Sequence, residues 1–220
     1  MDFAVDAILF DCDGVLVDSL ETAAHAWDAW ARDFAPDFDF RSQMTHGARS
    51  SDVIATLVEP ERHAEAVAAL DAAEVALAHE TSPVPGAVEL SERIPEGRWA
   101  VVTSGIREVA RTRLRAAGFT LPEHIITAED VTRGKPDAEP YARGAAALGV
   151  PAHRCAVLED AAAGVKAARA AGVQVVIGVG DHLDGAFVDA HVEDLREVSF
   201  GERGLSVKSP YAASTSAETR

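Results

Sequence analysis

The sequence predicts an α/β protein: a doubly wound parallel sheet with a small all-helical unit inserted after its first strand. Three observations carry this. From Gly86 to Val192 short apolar runs alternate with helical stretches, several of which close on a glycine. Residues 15–84 have helical periodicity and no strand-like run. Ser82-Pro83-Val84-Pro85-Gly86, where the helical block ends, is the clearest linker in the chain.

The first strand is Ala7-Ile8-Leu9-Phe10, followed at once by Asp11, Asp13 and Gly14. Glu21 to Phe34 reads as a helix, with Ala23, Trp27, Trp30 and Phe34 on one face, the core of a small helical unit. Pro36 and residues 37–40 form a connection, and Thr45-His46-Gly47-Ala48-Arg49 a loop. Ser50 or Ser51 then caps a helix over Asp52 to Val58. Glu61 to His79 is a longer amphipathic helix. Beyond the linker come a helix (Ala87–Ile94), a strand (Trp99–Thr103), a helix stopped by Gly118, a short strand (Ile125–Thr127) and a helix stopped by Gly149. A strand (Cys155–Leu158), a helix stopped by Gly172 and strands over Val173–Val179 and Ala190–Val192 complete the alternation. The expected division is a core of residues 1–14 and 85–205, a helical cap of 15–84, and a flexible tail of 206–220.

The chain has 220 residues, enough for one core plus a small insertion. Its net charge of −16 disfavours non-specific nucleic-acid binding and anionic membranes, both of which need a basic surface. No apolar run approaches membrane-spanning length, and residues 1–10 lack a basic leader, so a cytoplasmic location is expected. Cys12 and Cys155, the two cysteines, sit in apolar stretches and read as buried free thiols.

Chemistry gathers at the carboxyl ends of four strands, where open α/β sheets bind ligands. These are Asp11 and Asp13, Thr103-Ser104-Gly105, Lys135, and Glu159-Asp160. Side chains alternate along a strand, so Asp11 and Asp13 share a side if strand geometry persists that far. Like charges at short range need a cation or a proton between them. Hydroxyls and backbone N–H groups bind phosphate oxygens, a lysine offsets their charge, and carboxylates hold Mg²⁺. One carboxylate and one phosphate charge ~4 Å apart repel by about 4 kcal/mol at an effective dielectric of about 20. A phosphate dianion therefore requires the cation and Lys135 to approach. Each piece alone has a plainer reading: Asp-x-Asp-Gly as the start of a calcium loop, Thr103 and Glu159-Asp160 as helix caps, Lys135 as a surface residue. Val15 and Val17 stand where calcium ligands belong, and the order of all four on successive strands favours a shared site.

Phe10-Asp11-Cys12-Asp13-Gly14-Val15-Leu16-Val17-Asp18-Ser19 resembles the first motif of the haloacid dehalogenase-like hydrolase superfamily, whose core is Rossmann-like. Thr103, Lys135 and Glu159-Asp160 match its second, third and fourth motifs in order. The insertion resembles the helical cap of the β-phosphoglucomutase-like branch. Thr45-His46-Gly47-Ala48-Arg49, Val101 to Gly105, and Ile126 to Val131 running on to Pro136 resemble glycerol-phosphate and 2-deoxyglucose-6-phosphate phosphatases. The resemblance implies that Asp11 attacks phosphorus, already ionised as an ordinary carboxylate. Asp13 then protonates the leaving alkoxide and later deprotonates water; crowding by Asp11, Glu159 and Asp160 gives it a reason to hold a proton. It implies Mg²⁺ on the Asp11 carboxylate, the Asp13 carbonyl and Asp160, with Glu159 acting through water. Thr103, Ser104, Gly105 and Lys135 would hold the phosphoryl group, and His46 and Arg49 would reach the substrate from the cap.

The expected function is a Mg²⁺-dependent phosphatase of small phosphorylated sugars or polyols, a monomer by default. The enzymatic alternative is a β-phosphoglucomutase-type mutase, which typically has a cap lysine; residues 1–134 contain no lysine. A phosphonate hydrolase needs such a lysine too, and a dehalogenase lacks the second aspartate. The non-enzymatic alternative is a phospho-acceptor signalling domain, in which Asp13 and the helical insertion have no purpose.

Overall fold

The computed structural model describes residues 1–180, 183 and 187–208. In chain order the strands are β1 (Asp2–Phe3), β2 (Ala7–Phe10), β3 (Val17–Asp18), β4 (Ser82–Pro83), β5 (Trp99–Val102) and β6 (Ile125–Ile126). They continue with β7 (Cys155–Glu159), β8 (Val175–Val179), β9 (Ala190–Val192), β10 (Val198–Gly201) and β11 (Gly204–Val207). The helices are α1 (Leu20–Phe34), α2 (Phe40–Gln43), α3 (Ser50–Ile54), α4 (Pro60–Leu77), α5 (Ala87–Arg93), α6 (Arg107–Ala116), α7 (Glu139–Ala147) and α8 (Ala162–Ala170).

Six strands form one parallel sheet in the order β6-β5-β2-β7-β8-β9. Alternate side chains feed two separate cores. Ile8, Phe10, Val101, Leu158 and Ile177 pack on the face covered by α5 and α6. Ala7, Leu9, Val102, Val157 and Val176 pack on the face covered by α7 and α8. Burial on both faces explains why these strands read as continuous apolar runs without alternation. β2 lies between β5 and β7, so the chain moves outward on one side of it and later returns to the other. That switch point opens a crevice at the carboxyl end of β2, where Asp11 stands.

The helical block 20–77 leaves and re-enters through an antiparallel ribbon, in which Asp18 faces Ser82 and Val17 faces Pro83. It has its own apolar cluster. Trp27, Trp30 and Phe40 are buried there, and the Trp30 indole N–H donates to the Ala66 carbonyl at 2.8 Å. The third helix runs over 50–54 and not over Asp52 to Val58, with Arg49 in place of a serine at its cap.

A three-stranded antiparallel sheet, β1-β11-β10, was not anticipated from the sequence. It corrects the expected tail: Ser206 pairs with Ser199 and Asp2, and Val207 is 2% exposed. The rest of that tail, from 209, lies outside the described residues. Cys12 and Cys155 are free and buried. Among the described residues, no helix is long and apolar enough to cross a membrane.

Candidate active site

The centre of the site is a buried ion cluster. The Lys135 ammonium donates to Asp11 Oδ1 at 2.8 Å and to Glu159 Oε1 at 2.7 Å. The Tyr141 hydroxyl donates to the same Glu159 oxygen at 2.7 Å, and the Ala161 N–H to Glu159 Oε2 at 3.1 Å. Lys135 is 2% exposed and Glu159 fully buried, so each needs the other. Gly164 makes room for Glu159: a Cβ there would stand 1.5 Å from Oε1. Both Glu159 oxygens thus already receive protein donors.

Electrostatics follow from burial. Desolvation works against the Lys135 ammonium, but Asp11 and Glu159 outweigh it and push its pKa up, so Lys135 stays charged. Desolvation pushes the Asp11 carboxyl up to about 7; Lys135 pulls it back and the Glu159 charge adds to the rise. Asp160 is raised by burial and then by the charges of Asp11 and Glu159. An ordinary carboxylate would be ionised without help; burial of Asp11 works against its ionised form, and a cation beside it would favour that form.

The residues present fit such a cation. Asp11, Glu159 and Asp160 each offer an oxygen, and these atoms lie within 4.8 Å of one another. An all-oxygen set suits a hard divalent ion such as Mg²⁺. Gly14, at φ 77°, lets Asp160 close in: a Cβ there would stand 2.0 Å from Asp160 Oδ2.

Asp13 is held apart from Asp11. Its Oδ1 accepts from Ser19 Oγ at 2.6 Å and from Arg113 Nη1 at 2.8 Å. Arg113 Nη2 reaches on to Glu74 Oε1 of α4 at 3.4 Å. Arg113 keeps its charge because Asp13 and Glu74 outweigh its desolvation. Burial pushes Glu74 up, Arg113 offsets this, and the Asp13 charge adds to the rise. Sequence reasoning missed Arg113, Glu74, Ser19 and Tyr141. One signal existed: Arg113 follows the buried Val109 by four residues and precedes the buried Leu114, so an arginine stands on the apolar stripe of α6.

The loops after β5 and before α3 meet. Thr103 Oγ1 accepts from the Gly105 N–H at 3.0 Å, and Ser104 Oγ donates to the Gly47 carbonyl at 2.7 Å. A cavity of about 660 Å³ opens between them. Asp11, Asp13, Asp160 and Thr103 to Gly105 line its floor, and Trp27, Phe40, Met44 and His46 its roof. His46 stands edge-on to the Phe40 ring, centroids 5.9 Å apart. Arg49 is not brought to this cavity. Its guanidinium grips Asp52 at 2.8 and 2.9 Å and the Thr132 carbonyl at 3.2 Å, against Gly134. Of the sequence-selected residues, Asp11, Asp13, Thr103, Ser104, Gly105, Asp160 and His46 share the cavity wall, with Lys135 and Glu159 buried behind it.

A doubly wound parallel sheet with clustered carboxylates and a buried lysine at its switch point defines an α/β protein of the Rossmann-like class with an acidic centre that could hold a divalent cation. Residues 5–172 match the haloacid dehalogenase-like hydrolase family, and the chain belongs to it. It is 38% identical to hexitol phosphatase A of Escherichia coli, over 76% of this chain and 80% of that protein. It is 37% identical to glycerol-1-phosphate phosphohydrolase 2 of Saccharomyces cerevisiae, over 82% of this chain and 76% of that one. A solved β-phosphoglucomutase from Clostridium difficile shares the fold at a TM-score of 0.77 and 21% identity, over 89% of this chain and 94% of the other. Family and relatives together make the chain a phosphoric monoester hydrolase.

Proposed function

We propose that this chain is a Mg²⁺-dependent phosphatase of small phosphorylated sugars and polyols, working through an aspartyl-phosphate on Asp11. The observation that carries the reading is the pairing on one cavity floor of Asp11, clamped by Lys135, with Asp13, clamped by Arg113 and Ser19. The substrate class rests on the relatives, a hexitol phosphatase and a glycerol-1-phosphate phosphohydrolase. Asp11, Asp160, the Asp13 carbonyl and, through water, Glu159 would hold Mg²⁺. Bound there, the cation offsets the phosphoryl charge and keeps Asp11 ionised.

An Asp11 oxygen attacks phosphorus, and the bond to the leaving oxygen breaks. Asp13 gives its proton to that oxygen, so a neutral alcohol departs. Asp13, now ionised, takes a proton from water, whose oxygen attacks the same phosphorus. Phosphate leaves and Asp11 is restored. The Thr103 hydroxyl, the Ser104 backbone N–H and Lys135 hold the phosphoryl oxygens. The Ser104 side chain is already engaged with Gly47, which leaves it the role of joining the two loops. His46 is the best-placed sequence-selected residue of the helical insertion for meeting the leaving group.

The test is phosphate release over a panel of glycerol phosphates, 2-deoxyglucose 6-phosphate, mannitol 1-phosphate and β-glucose 1-phosphate. Arms with Mg²⁺, with EDTA and with Asp11→Asn complete it. Release from some members, lost with EDTA and in the variant, supports the reading. Conversion of β-glucose 1-phosphate to glucose 6-phosphate without release would make the chain a mutase.

A further inference from the structure

We propose that Tyr141 is a positioning residue that sets how much of the Lys135 charge is left for a phosphoryl group. The inference rests on the reading of Lys135 as a holder of that group. The Tyr141 hydroxyl donates to Glu159 Oε1 at 2.7 Å, the same oxygen that takes the Lys135 ammonium at 2.7 Å. Glu159 Oε2 takes the Ala161 N–H at 3.1 Å. The charge of Glu159 is thus divided among three donors, and Lys135 answers only part of it. The ammonium keeps a bond to Asp11 Oδ1 at 2.8 Å, and Asp11 lines the cavity. An ammonium has three N–H groups, so one more remains for a phosphoryl oxygen.

The geometry of Tyr141 suits this role. It is fully buried on α7, and Lys135 Nζ stands over its ring, 5.0 Å from the centroid. At that distance the ring face attracts the ammonium. One side chain therefore touches both members of the buried pair, by its ring on Lys135 and by its hydroxyl on Glu159. A phenylalanine would fill the same space without burying a hydroxyl that needs an acceptor. The acceptor found here is the one Glu159 oxygen that Lys135 also uses. Without the hydroxyl, the Glu159 charge falls on Lys135 and the Ala161 N–H alone. The ammonium is then drawn toward Glu159, away from Asp11 and from a phosphoryl oxygen.

The test reads anion and cation binding separately. Calorimetry measures inorganic phosphate binding at saturating Mg²⁺, and Mg²⁺ binding without phosphate, in wild type, Tyr141→Phe and Tyr141→Leu. Tyr141→Phe keeps the ring and loses only the hydroxyl. Its Kd for phosphate is expected to rise ~10-fold, the worth of one hydrogen bond to a charged group. Its Kd for Mg²⁺ is expected to stay within ~2-fold or to fall, because a less neutralised Glu159 leaves more negative charge beside the cation. Tyr141→Leu loses the ring as well and should bind phosphate more weakly still. A tyrosine that served packing alone would, on removal, loosen the site and weaken both ligands together. Parallel weakening of phosphate and Mg²⁺ in Tyr141→Phe therefore overturns the inference. Wild type that binds no phosphate with Mg²⁺ overturns the phosphoryl-holding reading and the inference with it. Phosphate bound equally by wild type and Tyr141→Phe overturns the inference alone.

Discussion

Replacing Asp11 with asparagine is expected to abolish turnover and, without divalent cations, to stabilise the protein. Asp11 is 5% exposed, and its carboxyl moves from an ordinary 3.8 to about 7, chiefly through burial. At 1.36 kcal/mol per tenfold in proton affinity, the fold disfavours the ionised form by about 4 kcal/mol. The sign follows from proton counting. The unfolded chain releases this proton near 3.8 and the folded one near 7, so between those values the folded state holds more protons. Folding stability from this group therefore falls as pH rises through the window, and the loss is complete above about 7. Asparagine stays neutral throughout. The stability difference between variant and wild type should widen by about 3 kcal/mol from pH 5 to pH 8, the pull of Lys135 on Asp11 being already contained in that shift. Lys135 keeps Glu159 as its partner in the variant. Urea denaturation in EDTA at the two pH values measures it. With Mg²⁺ at pH 8 the wild type should recover stability and the variant should not. A variant less stable than wild type at pH 8 in EDTA, or a difference independent of pH, would refute the reasoning.

Three further outcomes are expected. Lys135→Met leaves Asp11 and Glu159 buried without their shared cation; it should lose activity and about 3–5 kcal/mol of stability at pH 8 by denaturant titration. Gly14→Ala forces a Cβ onto Asp160 Oδ2 at a positive φ; the Mg²⁺ concentration for half activity should rise by roughly 10-fold or more. The cavity's buried arginine, Arg113, is paired with Asp13 and Glu74, the exposed Arg196 with Asp194, and acidic side chains outnumber basic ones on the described wall, so a second anion meets net negative charge. 3-Phosphoglycerate should therefore be hydrolysed with kcat/KM about 10-fold or more below that of glycerol 3-phosphate, and comparable values would contradict this charge balance.

The parallel sheet was legible because its strands are apolar on both faces and its helices stop on glycines. Asp11, Thr103, Lys135 and Glu159 were legible for a related reason: each directly follows or closes one of those strands, or sits in the loop between two of them, and strand ends are where a parallel sheet gathers chemistry. The β10–β11 hairpin was not, since Val198-Ser199-Phe200 and Leu205-Ser206-Val207 are too short to separate from a polar ending. The Arg113–Glu74 link was missed because its partners are 39 residues apart and belong to different packing units. Arg49 was singled out for its place beside His46; as the extended cap residue before α3 it pairs with Asp52 and with the loop before Lys135.

The most direct test of the account is to look for the phosphoryl group on the protein. Rapid-quench mass spectrometry of the peptide carrying Asp11, during turnover of a hydrolysed ester with Mg²⁺, should find one added phosphoryl group on Asp11. It should accumulate in Asp13→Asn given p-nitrophenyl phosphate, and be absent from Asp11→Asn. Full turnover with no phosphorylated enzyme, or a phosphoryl group on another residue, would contradict the account.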